Sequence, residues 1–112
     1  AIETRRRIAE WILTAAFLRD QPFDVCQRAW DDLLSLGFSS RFMKWSKTCL
    51  YADCCWENEQ DDVGLAVVEP AIAELELWLS ETSLDPHWRS DYENLLSALK
   101  NRRDELKAGV RE

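Results

Sequence analysis

Apolar side chains recur every three or four residues along most of this chain, and no segment alternates as a β-strand does. A spacing of i, i+3, i+4, i+7 places side chains on one face of an α-helix. Such helices bury their apolar faces by packing on one another. The pattern predicts an all-α fold, a compact single-domain bundle of about five antiparallel helices over residues 1–112.

The first helix is predicted over residues 3–18, and Gln21-Pro22 is expected to end it because proline has no N–H to donate. Glu10 interrupts the apolar run that follows three arginines, so the segment is predicted to be an amphipathic helix and not a signal peptide. The side chains expected to face the core are Ile8, Trp11, Ile12 and Ala15.

The second helix is predicted over residues 24–36, with Gly37 as its C-terminal cap. Ser39 or Ser40 can then cap a third helix that runs to Glu57. The side chains expected to face the core from the second helix are Val25, Cys26, Ala29, Trp30, Leu33 and Leu34. Those expected from the third are Phe42, Trp45, Cys49, Ala52 and Trp56.

Residues 57–64 are predicted to form a loop, followed by a fourth helix over residues 65–81. The side chains expected to face the core from this helix are Leu65, Val68, Ile72, Leu75 and Leu79. Pro70 requires either that this helix begins near Glu69 or that it is kinked. Asp85-Pro86 is a typical helix start, and Gly109 is the expected end of the fifth helix. Its predicted apolar seam comprises Trp88, Tyr92, Leu95, Leu96, Leu99 and Leu106.

The net charge is −7, and residues 51–100 hold 12 acidic side chains against two basic ones, Arg89 and Lys100. Affinity for nucleic acid comes mostly from Lys and Arg that neutralise phosphates. Direct binding of DNA or RNA is therefore disfavoured. A basic protein is the expected partner.

One acidic cluster is only partly explained by local helix physics. Asp53 and Glu57 lie near the negative end of the third helix dipole and repel each other at i, i+4. Asp61 and Asp62 have the alternative explanation that acids favour the start of a helix. The predicted partner-binding residues, all expected to be exposed apart from the tryptophan, are Asp53, Glu57, Glu59, Asp61, Asp62 and Trp56.

The four cysteines, Cys26, Cys49, Cys54 and Cys55, are predicted to be buried free thiols of a cytoplasmic protein. Their spacing does not suit a structural zinc site, and the acidic cluster lacks the pattern of a calcium loop. We expect no catalytic residue, metal or cofactor. No stretch approaches the roughly 20 apolar residues of a membrane span.

These observations favour a non-enzymatic protein-binding module. It would dock on a basic protein and occlude or regulate it, as inhibitors or immunity proteins do, a likeness of charge and size only. The first alternative is a structural subunit of a larger assembly, such as a nucleoprotein or a homo-oligomer, with its surplus Trp and Leu as contact surface. The second is a metal-dependent helical hydrolase, for which no paired Glu-x-x-Glu or Glu-x-x-His motif is present on the helices.

Overall fold

The computed structural model describes residues 1–19 and 22–109, with the backbone alone at 16–19. Within these residues the chain forms five helices and no strand. They are α1 (Ile2–Arg19), α2 (Phe23–Leu36), α3 (Arg41–Glu57), α4 (Asp61–Glu81) and α5 (Pro86–Ala108). The predicted all-α single-domain bundle is confirmed. Gln21, which was expected with Pro22 to end the first helix, lies outside the described residues.

Helix α3 is central and contacts each of the other four helices. α1 packs on α2 and α4 packs on α5, but the backbones of these two pairs do not contact each other in the described residues. The result is a flat molecule of 40 × 39 × 21 Å. Because neighbours surround it, α3 buries more than one stripe, including Lys47, Thr48 and Tyr51.

Two apolar cores share α3. The first lies between α1, α2 and α3 and includes the fully buried Leu13 and Leu33. The second lies between α3, α4 and α5 and includes Trp45, Leu75 and Leu99. Full burial of a large apolar side chain contributes roughly 2 kcal/mol, so both cores stabilise the fold substantially.

The predicted helix caps are confirmed. The Ser40 hydroxyl accepts a hydrogen bond from the Met43 N–H at 3.0 Å, and an Asp85 carboxylate oxygen accepts one from the His87 N–H at 2.9 Å. Gly37 (φ 85°) and Gly109 (φ 63°) follow α2 and α5 at positive φ, where a Cβ would be disfavoured. Local capping chemistry therefore sets these boundaries.

The predicted orientation of α1 is wrong for two of its four residues, while Ile12 packs against the core and Ala15 is half-buried. Ile8 and Trp11 are 53% and 63% exposed, whereas Ala9 and Leu13 are buried. The reason is polar: on the inward face, Arg6 Nε and Nη2 donate to the carbonyls of Gly37 and Leu36 at 2.9 and 3.0 Å.

Glu10 supplies a second polar anchor on the same inward face of α1. Its carboxylate accepts hydrogen bonds from the Ser39 hydroxyl at 3.0 Å and from the Ser39 N–H at 3.4 Å. Arg6 and Glu10 lie one turn apart, and both reach the connection between α2 and α3. These two anchors favour a rotation of α1 that leaves Ile8 and Trp11 exposed.

Other predicted core faces need smaller corrections. Leu34, Phe42 and Trp88 are 59%, 40% and 58% exposed, although the Phe42 ring still contacts Tyr92 with a centroid distance of 5.4 Å. The central members of each stripe are buried, among them Cys26, Ala29, Leu33, Cys49, Ala52, Val68, Ile72, Leu75, Leu79, Leu95 and Leu99.

The predicted loop over residues 57–64 is too long, since α4 begins at Asp61 and holds Pro70 in its interior. Pro70 cannot donate to the carbonyl of Ala66, but both residues are exposed, so water can hydrate that carbonyl. Gly64 lies inside the helix, where an added Cβ would come within 2.9 Å of Leu106 and 3.1 Å of Cys55. The absence of a side chain at Gly64 therefore lets the first turn of α4 pack closely against both α3 and α5.

Candidate protein-interaction surface

The α3–α4 connection is a short, well-ordered turn. After α3 ends at Glu57, the Gln60 N–H donates to the Cys55 carbonyl at 2.8 Å and the Glu59 N–H donates to the Trp56 carbonyl at 3.3 Å. This pair of bonds defines a Schellman motif, which satisfies carbonyls left over at a helix end. Asn58 adds a side-chain bond to the Cys54 carbonyl at 2.8 Å.

Glu59 occupies the left-handed position of this motif, with φ 58°, and is the one non-glycine residue at positive φ in the described part of the chain. Glycine is the usual residue there, because a Cβ in this conformation costs roughly 1–2 kcal/mol. The carboxylate of Glu59 is exposed. The turn therefore exposes an acidic side chain at a position where the left-handed backbone conformation favours glycine, which has no side chain.

Asp53 does not belong to this exposed surface, contrary to the prediction. Its two carboxylate oxygens accept hydrogen bonds from Arg102 Nε at 2.9 Å and Nη2 at 3.3 Å, and both side chains are largely buried. A two-point Arg–carboxylate contact of this kind joins α3 to α5. We assign Asp53 a structural role.

The other predicted residues lie around the turn with different exposure. Glu57, Glu59 and Asp62 are exposed, as predicted, whereas Asp61 is half-buried beside the end of α5. Trp56 is half-buried and packs against the core between α3, α4 and α5. We call Glu57, Glu59 and Asp62 the acidic corner.

Several carboxylates outside the acidic corner form ion pairs with the chain's own Lys and Arg side chains. Glu3, Glu74, Glu93, Glu76, Asp104 and Glu69 each have a Lys or Arg nitrogen within 3.4 Å. Within residues 1–19 and 22–109, Glu59 and Asp62 form no ion pair. The negative charge of Glu59 and Asp62 is therefore not neutralised by the chain's own described cations.

All four cysteines are buried free thiols, as predicted. Burial raises the pKa of Cys49 and of Cys55 to about 12, and it also raises the pKa of Cys26 and Cys54. A thiol becomes a nucleophile or metal ligand as the thiolate. In the described residues, no three His, Cys, Asp or Glu side chains are grouped so that they could hold a metal ion.

A second exposed surface escaped the sequence analysis. Leu34 on α2 and Leu77 on α4 are each 59% exposed and lie on either side of the N-terminal half of α3. Arg41 and Lys44 lie between them. Leu34 matched a core stripe in the sequence, and nothing in the local pattern distinguishes it from its buried neighbour Leu33.

No family model, curated protein or solved structure matches this chain. Among the described residues, none of the helices has the length and apolar character needed to cross a membrane.

Proposed function

We propose that this chain is a non-enzymatic protein-binding module that docks through its acidic corner on a basic protein and occludes or regulates it. The main support is Glu59, an exposed carboxylate at a left-handed position where glycine is less costly. Strained residues of this kind cluster at functional sites. A role in binding would account for an acidic residue here.

The electrostatics support the same proposal. Glu59 and Asp62 have no ion-pair partner among the described residues, and the whole chain carries a net charge of −7. A negative surface of this kind accelerates encounter with a positive one and favours cationic partners. The acids in the first turn of α4 also stabilise that helix, so this part of the surface has no energetic cost in the free protein.

The cellular setting that we infer is the cytoplasm. All four cysteines are free, and the pair of apolar cores stabilises the fold without a disulfide. Free thiols persist where the compartment is reducing.

The test compares two triple variants with equal charge change. In one, Glu57→Gln, Glu59→Gln and Asp62→Asn neutralise the acidic corner; in the control, Glu3→Gln, Glu76→Gln and Glu93→Gln neutralise exposed acids elsewhere. Immobilised proteins are incubated with an extract of the source cells at about 50 mM salt, and captured proteins are identified by mass spectrometry. We expect the wild type and the control variant to capture basic proteins that the variant of the acidic corner does not capture.

Binding of a captured partner should also slow steeply when salt rises to about 300 mM. Equal capture by both variants, or on-rates that do not change with salt, would contradict the proposal.

One observation favours the second candidate, a structural subunit of a larger assembly. Ile8 and Trp11 are adjacent on the outward face of α1, opposite the buried Ala9 and Leu13. Exposed aromatic and aliphatic side chains side by side are typical of interfaces. If capture is lost in an Ile8→Ser/Trp11→Ser variant and kept in the corner variant, the subunit interpretation replaces the first.

A further inference from the structure

An open groove crosses the face of the molecule formed by α2, α3 and α4. Both α2 and α4 contact α3, but their backbones do not contact each other, which leaves a channel floored by the N-terminal half of α3. Three cavities of about 460, 360 and 220 Å³ lie side by side here, and Lys44 lines all three. We call them together the three-helix groove; its lining residues include Leu34, Arg41, Lys44, Pro70, Glu74, Leu77, Trp78 and Glu81.

The walls of the three-helix groove carry exposed apolar side chains beside the carboxylates of Glu74 and Glu81 on α4. Leu34 on one wall and Leu77 on the other are each 59% exposed, and Pro70 is exposed further along α4. Large apolar side chains on facing walls favour an occupant with an apolar face of its own. Helical walls offer few free backbone donors or acceptors, so the occupant must satisfy its own backbone hydrogen bonds, as a helix does.

The floor carries one cation that the described part of the chain does not pair. Lys44 Nζ lies 2.8 Å from Glu74, and the same carboxylate oxygen accepts from the Trp45 indole at 3.2 Å, so this lysine is neutralised. Arg41 forms no ion pair among the described residues, including with Glu81 at the same end of the groove. Its guanidinium lies instead over the Trp78 ring, 5.6 Å from the centroid.

Trp78 is itself held in place, because it packs on Trp45 and Tyr92 with ring centroids 5.6 and 4.7 Å away. A guanidinium stacked on a fixed ring is oriented by the cation–π contact and keeps its N–H groups for a planar acceptor. A carboxylate is the complementary group that a protein partner supplies. We propose that the three-helix groove binds an amphipathic α-helix of a partner protein, with leucine-like side chains between Leu34 and Leu77 and a carboxylate on Arg41.

The exposed face of α1 from a second copy would fit less well. That helix presents Ile8 and Trp11 beside Arg5, which Arg41 would repel, and its exposed carboxylate, Glu3, is already paired with Arg7 at 3.3 Å. The proposed site is separate from the acidic corner, so either can fail without the other.

The test uses a displayed library of helix-forming peptides of about 16 residues, randomised on one face and selected on the folded wild-type protein. We expect enriched peptides to carry Leu, Ile or Phe at i, i+3 or i+4 and i+7, together with Asp or Glu. Selection on an Arg41→Glu variant should instead enrich Lys or Arg at the acidic position.

Fluorescence anisotropy with an enriched peptide then tests the walls. A Leu34→Ser/Leu77→Ser variant should bind at least about tenfold more weakly, while Ile8→Ser/Trp11→Ser, a matched loss of exposed apolar surface, should leave the Kd unchanged. Circular dichroism checks that each variant is folded. Failure to enrich peptides, or equal binding by the two variants, would overturn the proposal. So would a wild-type dimer that Leu34→Ser/Leu77→Ser dissociates, since a second copy would then fill the groove.

Discussion

Glu59 is the residue whose local conformation departs most from what its side chain prefers. Its φ of 58° lies in the left-handed region, and the Schellman hydrogen bonds of Glu59 and Gln60 hold it there. The free energy for this conformation comes from the rest of the turn, which satisfies the last carbonyls of α3. Glycine at position 59 would make the turn more stable, but it would remove the exposed carboxylate.

Glu59→Gly should raise the free energy of unfolding by about 0.5–1 kcal/mol, because relief of the left-handed strain exceeds the entropy that glycine adds to the unfolded chain. Urea unfolding followed by circular dichroism measures the change. Glu57→Gly, two residues earlier and at the last position of α3, is the control and should lower stability, since glycine disfavours a helix. A loss of stability in both variants would contradict the strain at Glu59.

Helix α1 illustrates how polar contacts decide the orientation of an element. Its apolar side chains extend far around the helix, so several rotations would bury similar apolar area. Arg6 and Glu10 select one of them, because each satisfies polar groups at the α2–α3 connection. An unmade hydrogen bond at a partly buried group costs about 1–3 kcal/mol, so these contacts favour the observed rotation over one that leaves the same groups unpaired.

Leu13→Ala should therefore destabilise the protein by about 2–5 kcal/mol, whereas Ile8→Ser should change stability by no more than about 0.5 kcal/mol. Leu13 is fully buried and Ile8 is half-exposed on the opposite face. Thermal unfolding of the two variants beside the wild type distinguishes these effects. Comparable losses in both would mean that α1 packs through the face that the sequence pattern first suggested.

At the scale of the whole molecule, α3 links two cores and places three of the four thiols within them, while Cys26 comes from α2. Burial favours the neutral thiol, and it likewise raises the pKa of Tyr51. The pKa of Lys47 shifts in the opposite direction, because burial lowers it and the attraction of the Glu10 carboxylate only partly offsets this decrease. These groups couple alkaline pH to global stability.

The free energy of unfolding should fall as pH rises above 9. The unfolded chain releases its thiol protons near pH 8.5–9, whereas Cys49 and Cys55 retain theirs to about pH 12, so the folded state binds more protons in this window. Each thiol contributes a decrease of up to about 1.4 kcal/mol per pH unit. Burial of Lys47 destabilises the folded protein at pH values where this lysine is charged in the unfolded chain. This cost shrinks as the pH rises toward the pKa of Lys47 in the unfolded chain, which offsets part of the decrease.

Urea unfolding under reducing conditions at pH 8, 9 and 10 measures the slope. Cys49→Ala should have a shallower pH dependence than the wild type, by one thiol, whatever its stability at pH 8. An identical slope in the variant would show that the Cys49 thiol does not retain its proton in the folded protein.

Local sequence patterns determined the helices and most of their ends. Capping by Ser40 and Asp85 and the glycines at 37 and 109 act within a few residues of the chain, so they could be predicted without knowledge of the fold. The central positions of α4 and α5 were also predictable, since apolar side chains in register every three or four residues are buried along both helices, although α4 also exposes Leu77. Part of the candidate site followed as well, because Glu57, Glu59 and Asp62 adjoin a turn.

Tertiary structure alone decided the rest, because it depends on partners distant in sequence. Asp53 is withdrawn from the surface by Arg102, 49 residues away, and Arg6 and Glu10 rotate α1 through contacts about 30 residues away. The exposure of Leu34 and the pairing of Lys44 with Glu74 likewise depend on how α2 and α4 sit on α3. A periodic pattern gives the apolar side of a helix, but only the neighbours available to that helix determine which part of the side is covered.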